Sequence, residues 1–182
     1  METPYELDRE KDREFSSFVA DHIDAAYNLA RWILTVEQDA EDVVQDAFLR
    51  AFRGYATFRG ENPRAWILTI VRNTAYNHLR KTRHMSETSL NDVVVERLEG
   101  DAEGLPDREI IREGEKLALA QALAKLPTEY REAIVLREIE ELSYKEIARM
   151  QLVPLGTVMS RLARGRMKLR ELLLDGRKEN QA

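Results

Sequence analysis

Apolar residues recur every three or four positions through the first third of the chain. Phe15, Phe18, Val19, Ile23, Ala26, Leu29, Ala30 and Ile33 keep this spacing, which predicts an amphipathic helix over about 15–35. A second stripe, Ala40, Val43, Val44, Ala47, Phe48, Ala51 and Phe52, follows Asp39, a residue type that caps helix starts, and Gly54 closes it. Asn62 and Pro63 then read as an N-cap and first helical residue, opening a third helix to about Arg83. Three helices with short loops make a bundle of about seventy residues. From 85 to 106 the period fails. Ser86, Thr88, Ser89, Asn91, Gly100 and Gly104 interrupt it, and the segment reads as a linker.

Helical spacing resumes beyond it. Ile110, Ile111, Leu117, Leu119, Ala120, Leu123 and Leu126 predict one broad apolar face. Pro127 and Thr128 start another helix that uses Ala133, Ile134 and Leu136. Ser143 and Glu146 form a capping box for a short helix ending near Met150. After a tight turn Pro154 opens a last helix to about Leu174, with Val153 a poor residue for its N-cap. A short helix, a brief turn and a longer basic helix form a helix-turn-helix pattern. The expected fold is all-α, with two small helical domains, 1–84 and 114–182, joined by an acidic linker, 85–113.

Composition narrows the function classes. Net charge is −5, from 28 Lys and Arg against 33 Asp and Glu. By itself this argues against a general nucleic-acid coat. Its distribution reverses the picture. Residues 65–84 carry Arg72, Arg80, Lys81 and Arg83 and no acid, and 152–182 is net +4, whereas 85–115 is net −7. Two acid-poor basic windows in an acidic chain point to two separate anionic contacts. The chain has no Cys, which excludes thiolate chemistry, and His22, His78 and His84 have no metal-ligand spacing. The three histidines are expected at the surface or facing a partner. No cofactor is expected. No apolar run is long enough to span a bilayer and the acidic start lacks a signal-peptide core, so a cytoplasmic protein without membrane insertion is expected.

On a helical wheel Val158, Leu162, Gly165, Leu169 and Leu172 share the core face of the last helix. Thr157, Met159, Ser160, Arg161 and Arg164 fall in its N-terminal half, which reaches base edges in a helix-turn-helix, and Lys168 suits phosphate. Gly156 lets a backbone approach closely. In the third helix, Ile67, Leu68, Val71, Ala75 and Leu79 make one stripe, and Trp66, Ile70, Asn73, Asn77 and Arg80 another. Trp66 favours the core. Asn73 beside a basic end suits an unstacked base on single-stranded DNA. On these residues alone, a DNA-contacting protein such as a stand-alone helix-turn-helix regulator and a helical adaptor with no DNA role both remain open.

Larger blocks carry a resemblance. DAEDVVQDAFLRAFR (39–53), then Phe58, Arg59, Gly60 and Glu61, then AWILTIVRNTAYNHLRK (65–81), resembles region 2 of extracytoplasmic-function sigma factors of the sigma-70 family. LREIEELSYKEIARM (136–150) and VPLGTVMSRLARGRMKLRELL (153–173) resemble their region 4. The resemblance implies a factor that binds core RNA polymerase and directs initiation at promoters. Asp42, Gln45, Asp46, Leu49 and Arg50 would dock on the polymerase clamp helices. Phe58, Arg59, Trp66, Arg72, Asn73, Asn77, Arg80 and Lys81 would serve the −10 element. Pro154, Gly156, Thr157, Met159, Ser160, Arg161, Arg164 and Lys168, with Arg137 and Tyr144, would serve the −35 element, while region 4 contacts the polymerase flap. The family also implies an anti-sigma factor as partner and a monomer when free. Three features depart from the family pattern. The loop 58–66 is one residue short, Met159 stands where a basic residue is common, and Ala163 stands where an aromatic sometimes occurs. Weight at the −35 element is therefore expected on Ser160, Arg161 and Arg164.

Overall fold

The computed structural model describes residues 4–34, 36–60, 62–86 and 107–179. The expected linker at 85–106 lies almost wholly outside them, as do the side chains of Ile110, Ile111 and His84. All regular elements among the described residues are helical. The chain divides into two compact units, Met1–Val93 and Val94–Ala182.

The first unit is a three-helix bundle of α1 (Pro4–Ile33), α2 (Glu37–Tyr55) and α3 (Pro63–Ser86), each packed on the other two. Its core holds Ala26, Leu29, Ala30, Val43, Ala47, Ala51, Ile67, Leu68, Val71 and Ala75, all buried. The alanines let the helix axes approach closely while Leu and Ile fill the gaps. Helix α1 begins well before the expected position near 15. Its leading turns are rich in Glu, Lys and Arg, good helix formers that carry no apolar stripe to announce them.

Helix α2 starts at Glu37, with Val36 at the N-cap and no side-chain cap bond. The expected cap, Asp39, lies inside the first turn and instead faces His78 of α3, with Oδ2 3.3 Å from Nε2. Glu37 and Asp39 favour this end through the helix dipole, without capping it. Tyr27 donates to Glu37 Oε1 at 3.1 Å, and its phenol is raised above its ordinary pKa by burial and by that bond. Asn62 behaves as expected, since its Oδ1 accepts from the Ala65 N–H at 3.1 Å and Pro63 is the first residue of α3. His22 departs from the surface expectation. Its ring lies 4.6 Å from that of Phe18, and both ring nitrogens are buried with no hydrogen-bond partner.

The second unit comprises α4 (Asp107–Ala124), α5 (Thr128–Ile134), a π-helical turn (Val135–Ile139), α6 (Tyr144–Gln151) and α7 (Leu155–Glu179). Leu123, Leu126, Ile134, Val135, Leu136, Leu142, Ile147, Val158 and Leu162 form its core. The π turn is closed by the Glu140 N–H donating to the Val135 carbonyl at 3.0 Å. Among the described side chains of α4, Leu117 and Leu119 are exposed, against expectation, whereas Ala122 and Leu123 are buried. Gly165 allows α5 and α7 to meet. A Cβ there would lie 3.0 Å from Ile134 Cδ1 and 3.2 Å from Tyr130 Cβ. Pro154, rather than Val153, stands at the start of α7, its carbonyl accepting from the Thr157 N–H at 2.9 Å and the Val158 N–H at 3.4 Å. Proline lacks the N–H that a helix start leaves unpaired, so it fits this place.

Candidate nucleic-acid interface

In the second unit the reading surface is built from the turn outward. The capping box forms in full: Glu146 N–H donates to Ser143 Oγ at 3.3 Å and Ser143 N–H to Glu146 Oε2 at 2.7 Å. This fixes the start of α6. Its far end turns through Leu152, which is left-handed with φ 55°. Helix α7 then presents Gly156, Met159, Ser160, Arg164 and Lys168 to solvent, with Pro154 exposed just before it and Thr157 half-buried. Val158, Leu162 and Gly165 are buried as expected, and Leu169 and Leu172 are half-buried.

The polar side chains of this unit are braced. Arg161 Nη1 donates to Gln151 Oε1 at 2.8 Å, joining α7 to the end of α6. Gln151 is itself buried. Ser160 Oγ donates to the Thr157 carbonyl at 2.9 Å. Arg137 donates to the Leu142 carbonyl at 2.9 Å, and its guanidinium lies 5.1 Å from the centre of the Tyr144 ring. Arg166 Nε donates to Glu138 Oε1 at 3.1 Å, and hydrogen bonds to Glu138 and then to Tyr144 raise its pKa. Sequence reasoning missed Gln151, Glu138 and Arg166 as members of this surface. Glu138 and Arg166 are 28 residues apart, so no local spacing pairs them.

In the first unit the structure divides the expected residues. Phe58 and Trp66 stack with ring centroids 4.6 Å apart at 26°, and Phe18 lies 5.7 Å from the same indole. Arg59 folds back on its loop, donating to the Ala56 and Phe58 carbonyls at 2.9 Å each. Beside it opens a recess of about 450 Å³, lined by Glu14, Phe18, Tyr55, Phe58, Arg59 and Pro63. Farther along α3, Arg72 lies 4.6 Å from the Tyr76 ring centre, Asn73 is exposed, and Arg80 donates to Asn77. Trp66 and Lys81 are fifteen residues apart on one helix, so about 22 Å separates them along its axis. The structure thus brings Phe58 and Arg59 of the preceding loop to Trp66 at the start of α3, and joins Asn77 to Arg80 farther along it.

The outer face of α2 is a third surface. Asp42, Gln45, Asp46, Leu49 and Arg50 are all exposed, with Leu49 62% exposed, and Arg50 Nη2 lies 2.9 Å from Asp46 Oδ2. A groove runs from Asp42, Asp46 and Arg50 to Asn77, His78 and Lys81 of α3. Among the described residues no cluster of His, Cys, Asp and Glu could hold a metal ion, and no helix is long and apolar enough to cross a membrane.

Comparison with known proteins matches this layout. The Sigma-70 region 2 family matches residues 7–85, and the Sigma-70 region 4 family matches residues 116–169. The RNA polymerase sigma-H factor of Pseudomonas aeruginosa is 37% identical over 135 residues, which are 71% of this chain and 70% of that protein. The ECF RNA polymerase sigma-E factor of Escherichia coli K12 is 34% identical over 134 residues, 70% of each chain. Among solved structures, the sigma factor RpoE in complex with the anti-sigma factor NepR from Bartonella quintana aligns with a TM-score of 0.75 at 29% identity, covering 88% of this chain and 97% of that one. The two helical units, their order and these relatives place the chain in the sigma-70 family, among the extracytoplasmic-function sigma factors that act in transcription initiation.

Proposed function

We propose the following division of labour for this sigma factor. Residues 1–84 dock on the clamp helices of core RNA polymerase and serve the −10 element. Residues 114–182 serve the −35 element and contact the polymerase flap, and 85–113 links them. Exposed Leu49, set among Asp42, Gln45, Asp46 and Arg50, supplies an apolar anchor with a charged rim for the clamp. Helix α3 provides the −10 surface, with Phe58 and Trp66 at one station and Asn73, Asn77, Arg80 and Lys81 beyond. Helix α7 provides the −35 surface with Gly156, Thr157, Met159, Ser160, Arg161, Arg164 and Lys168.

The observation that carries this reading is the braced helix-turn-helix. A complete capping box fixes the start of α6, and the bond from Arg161 to Gln151 ties α7 to its end, as reading a groove requires. Association with polymerase supplies the affinity that an acidic chain lacks for DNA alone. The factor acts in the cytoplasm, where polymerase and chromosome lie, works without a cofactor and performs no chemistry of its own. An anti-sigma factor restrains it by covering these surfaces, as the complex of the structural relative suggests.

Run-off transcription with purified core polymerase tests the reading. The full chain is expected to convert core polymerase into an enzyme that initiates at defined sites in a promoter library, while binding the same duplexes weakly alone. Core binding without initiation on any template would sink it. Tight operator binding without polymerase would favour a stand-alone regulator instead.

A further inference from the structure

Helix α7 carries an apolar strip on the face turned away from its core. Leu155 is 42% exposed, Met159 53% and Met167 61%, and Gly156 and Ala163 are exposed with them. Gly156, Met159, Ala163 and Met167 fall within about 80° of one another on the wheel, and Leu155 lies one turn before Met159. A Cβ at Gly156 would meet nothing within 4 Å, so this stretch of backbone is open to a partner. Two neighbouring polar side chains in the same turns are turned to internal partners: Ser160 bonds the Thr157 carbonyl and Arg161 bonds Gln151. Arg166 and Arg170, both exposed, continue the strip beyond Ala163 with cations, and exposed Arg164 and Lys168 stand on its flank, about 60° and 100° round the wheel from its edge.

The charge of the helix selects the occupant. From Leu155 to Arg170, α7 has five cations and no acid. An apolar strip flanked by cations complements a groove with an apolar floor and phosphate walls. In the major groove, the thymine C5-methyl is the apolar group that base pairs present, whereas guanine presents two acceptors that Met and Ala cannot satisfy.

We propose that Met159, flanked by Leu155 and Ala163, is a specificity-determining residue that reads thymine C5-methyl groups in the −35 element, while Arg164 and Lys168 hold the adjoining phosphates. This rests on the −35 role given to α7 above. It assigns thymine to the base positions facing the start of α7, where a basic residue in place of Met159 would select guanine.

The test uses the full chain with core polymerase. A −35 element is selected from randomised duplexes by run-off transcription, and each thymine in the selected site is then replaced by deoxyuridine, which removes the methyl alone. Loss of one buried methyl is expected to lower initiation about fourfold at one or two positions. Met159→Ala should no longer distinguish thymine from deoxyuridine there, and Met159→Arg should select guanine. Unchanged initiation with deoxyuridine at every thymine would overturn the proposal. So would selection of the same base by Met159→Arg. If Met159→Ala weakens assembly with core polymerase in the absence of DNA, the strip docks protein and the proposal also falls. Absence of any run-off product would instead remove the sigma reading itself, and the proposal with it.

Discussion

The two units hold their candidate surfaces by different means. In the first, the loop after α2 is fixed by rings. Phe15 packs edge-on against Phe52 and Tyr55, Phe18 sits against Tyr55 and Trp66, and Trp66 stacks on Phe58. In the second, the turn is fixed by polar ties: the capping box, Arg161 to Gln151, Arg166 to Glu138, and Arg137 to the Leu142 carbonyl. Ring packing is broad and weakly directional, and a polar tie is narrow and directional. Under the function proposed above, a loop that accommodates an unstacked base could yield on a cushion of rings, whereas a helix that enters a groove in one register could not. The contrast teaches where damage should appear, as lost stability in the first unit and as lost orientation in the second.

The largest expected effect tests the ring cluster. Trp66→Ala should cost about 3 kcal/mol, because it removes the ring that contacts both Phe18 and Phe58. Denaturant titration would read this, and Trp66→Phe should restore most of it. Next is Gly165→Val, which should cost about 2 kcal/mol by forcing α5 and α7 apart at Ile134 and Tyr130. Here packing outweighs the polar ties, and a thermal melt would measure it.

A sharper test is the double-mutant cycle of Arg161→Ala and Gln151→Ala. A coupling of about 1.5 kcal/mol is expected, since the bond is charge-assisted and Gln151 is buried. Each single change should also blur selection of the −35 element, an effect that Trp66→Phe should not produce. Ser143→Ala removes one half of the capping box and should cost about 1 kcal/mol, visible as faster amide exchange at the start of α6. Asp46→Asn closes the series. Its ion pair with Arg50 is half-exposed on both sides, so stability should change by less than about 0.5 kcal/mol. Weakened binding to core polymerase, measured separately, would then report docking alone.

Features that depend on neighbours in sequence were legible before the structure. The Asn62 cap, the capping box of Ser143 and Glu146, and the buried face at Val158, Leu162 and Gly165 all follow from spacings of four residues or fewer. What depends on distant partners was not. Asp39 was a reasonable cap by residue type, yet His78 of another helix draws it away. His22 shows that a near neighbour can also go unread, since Phe18 stands four residues before it on α1 and the His22 ring nitrogens are nonetheless buried. The π-helical turn at Val135–Ile139 carries no propensity signal, because its residues would also suit an α-helix. At the candidate site, residue types and register were readable, but the bracing by Gln151 and Glu138 was not. Those ties span ten and twenty-eight residues and exist only once the helices have packed.

One feature of the turn bears on engineering. Among the described residues, two other than glycine, Glu141 and Leu152, adopt left-handed backbone, with φ 57° and 55°. They stand on either side of α6. Each holds a conformation that costs about 1 kcal/mol for a residue with a side chain, so each stiffens its joint while opposing it. Replacing either by glycine relieves that cost and loosens the chain by a similar amount, leaving overall stability nearly level. What changes is the tilt of α6 over time. A swap of promoter specificity between sigma factors should therefore move 137–168 as one cassette, both joints and their polar ties included. Grafting α7 alone would carry the letters of the code without the hand that holds them to the page.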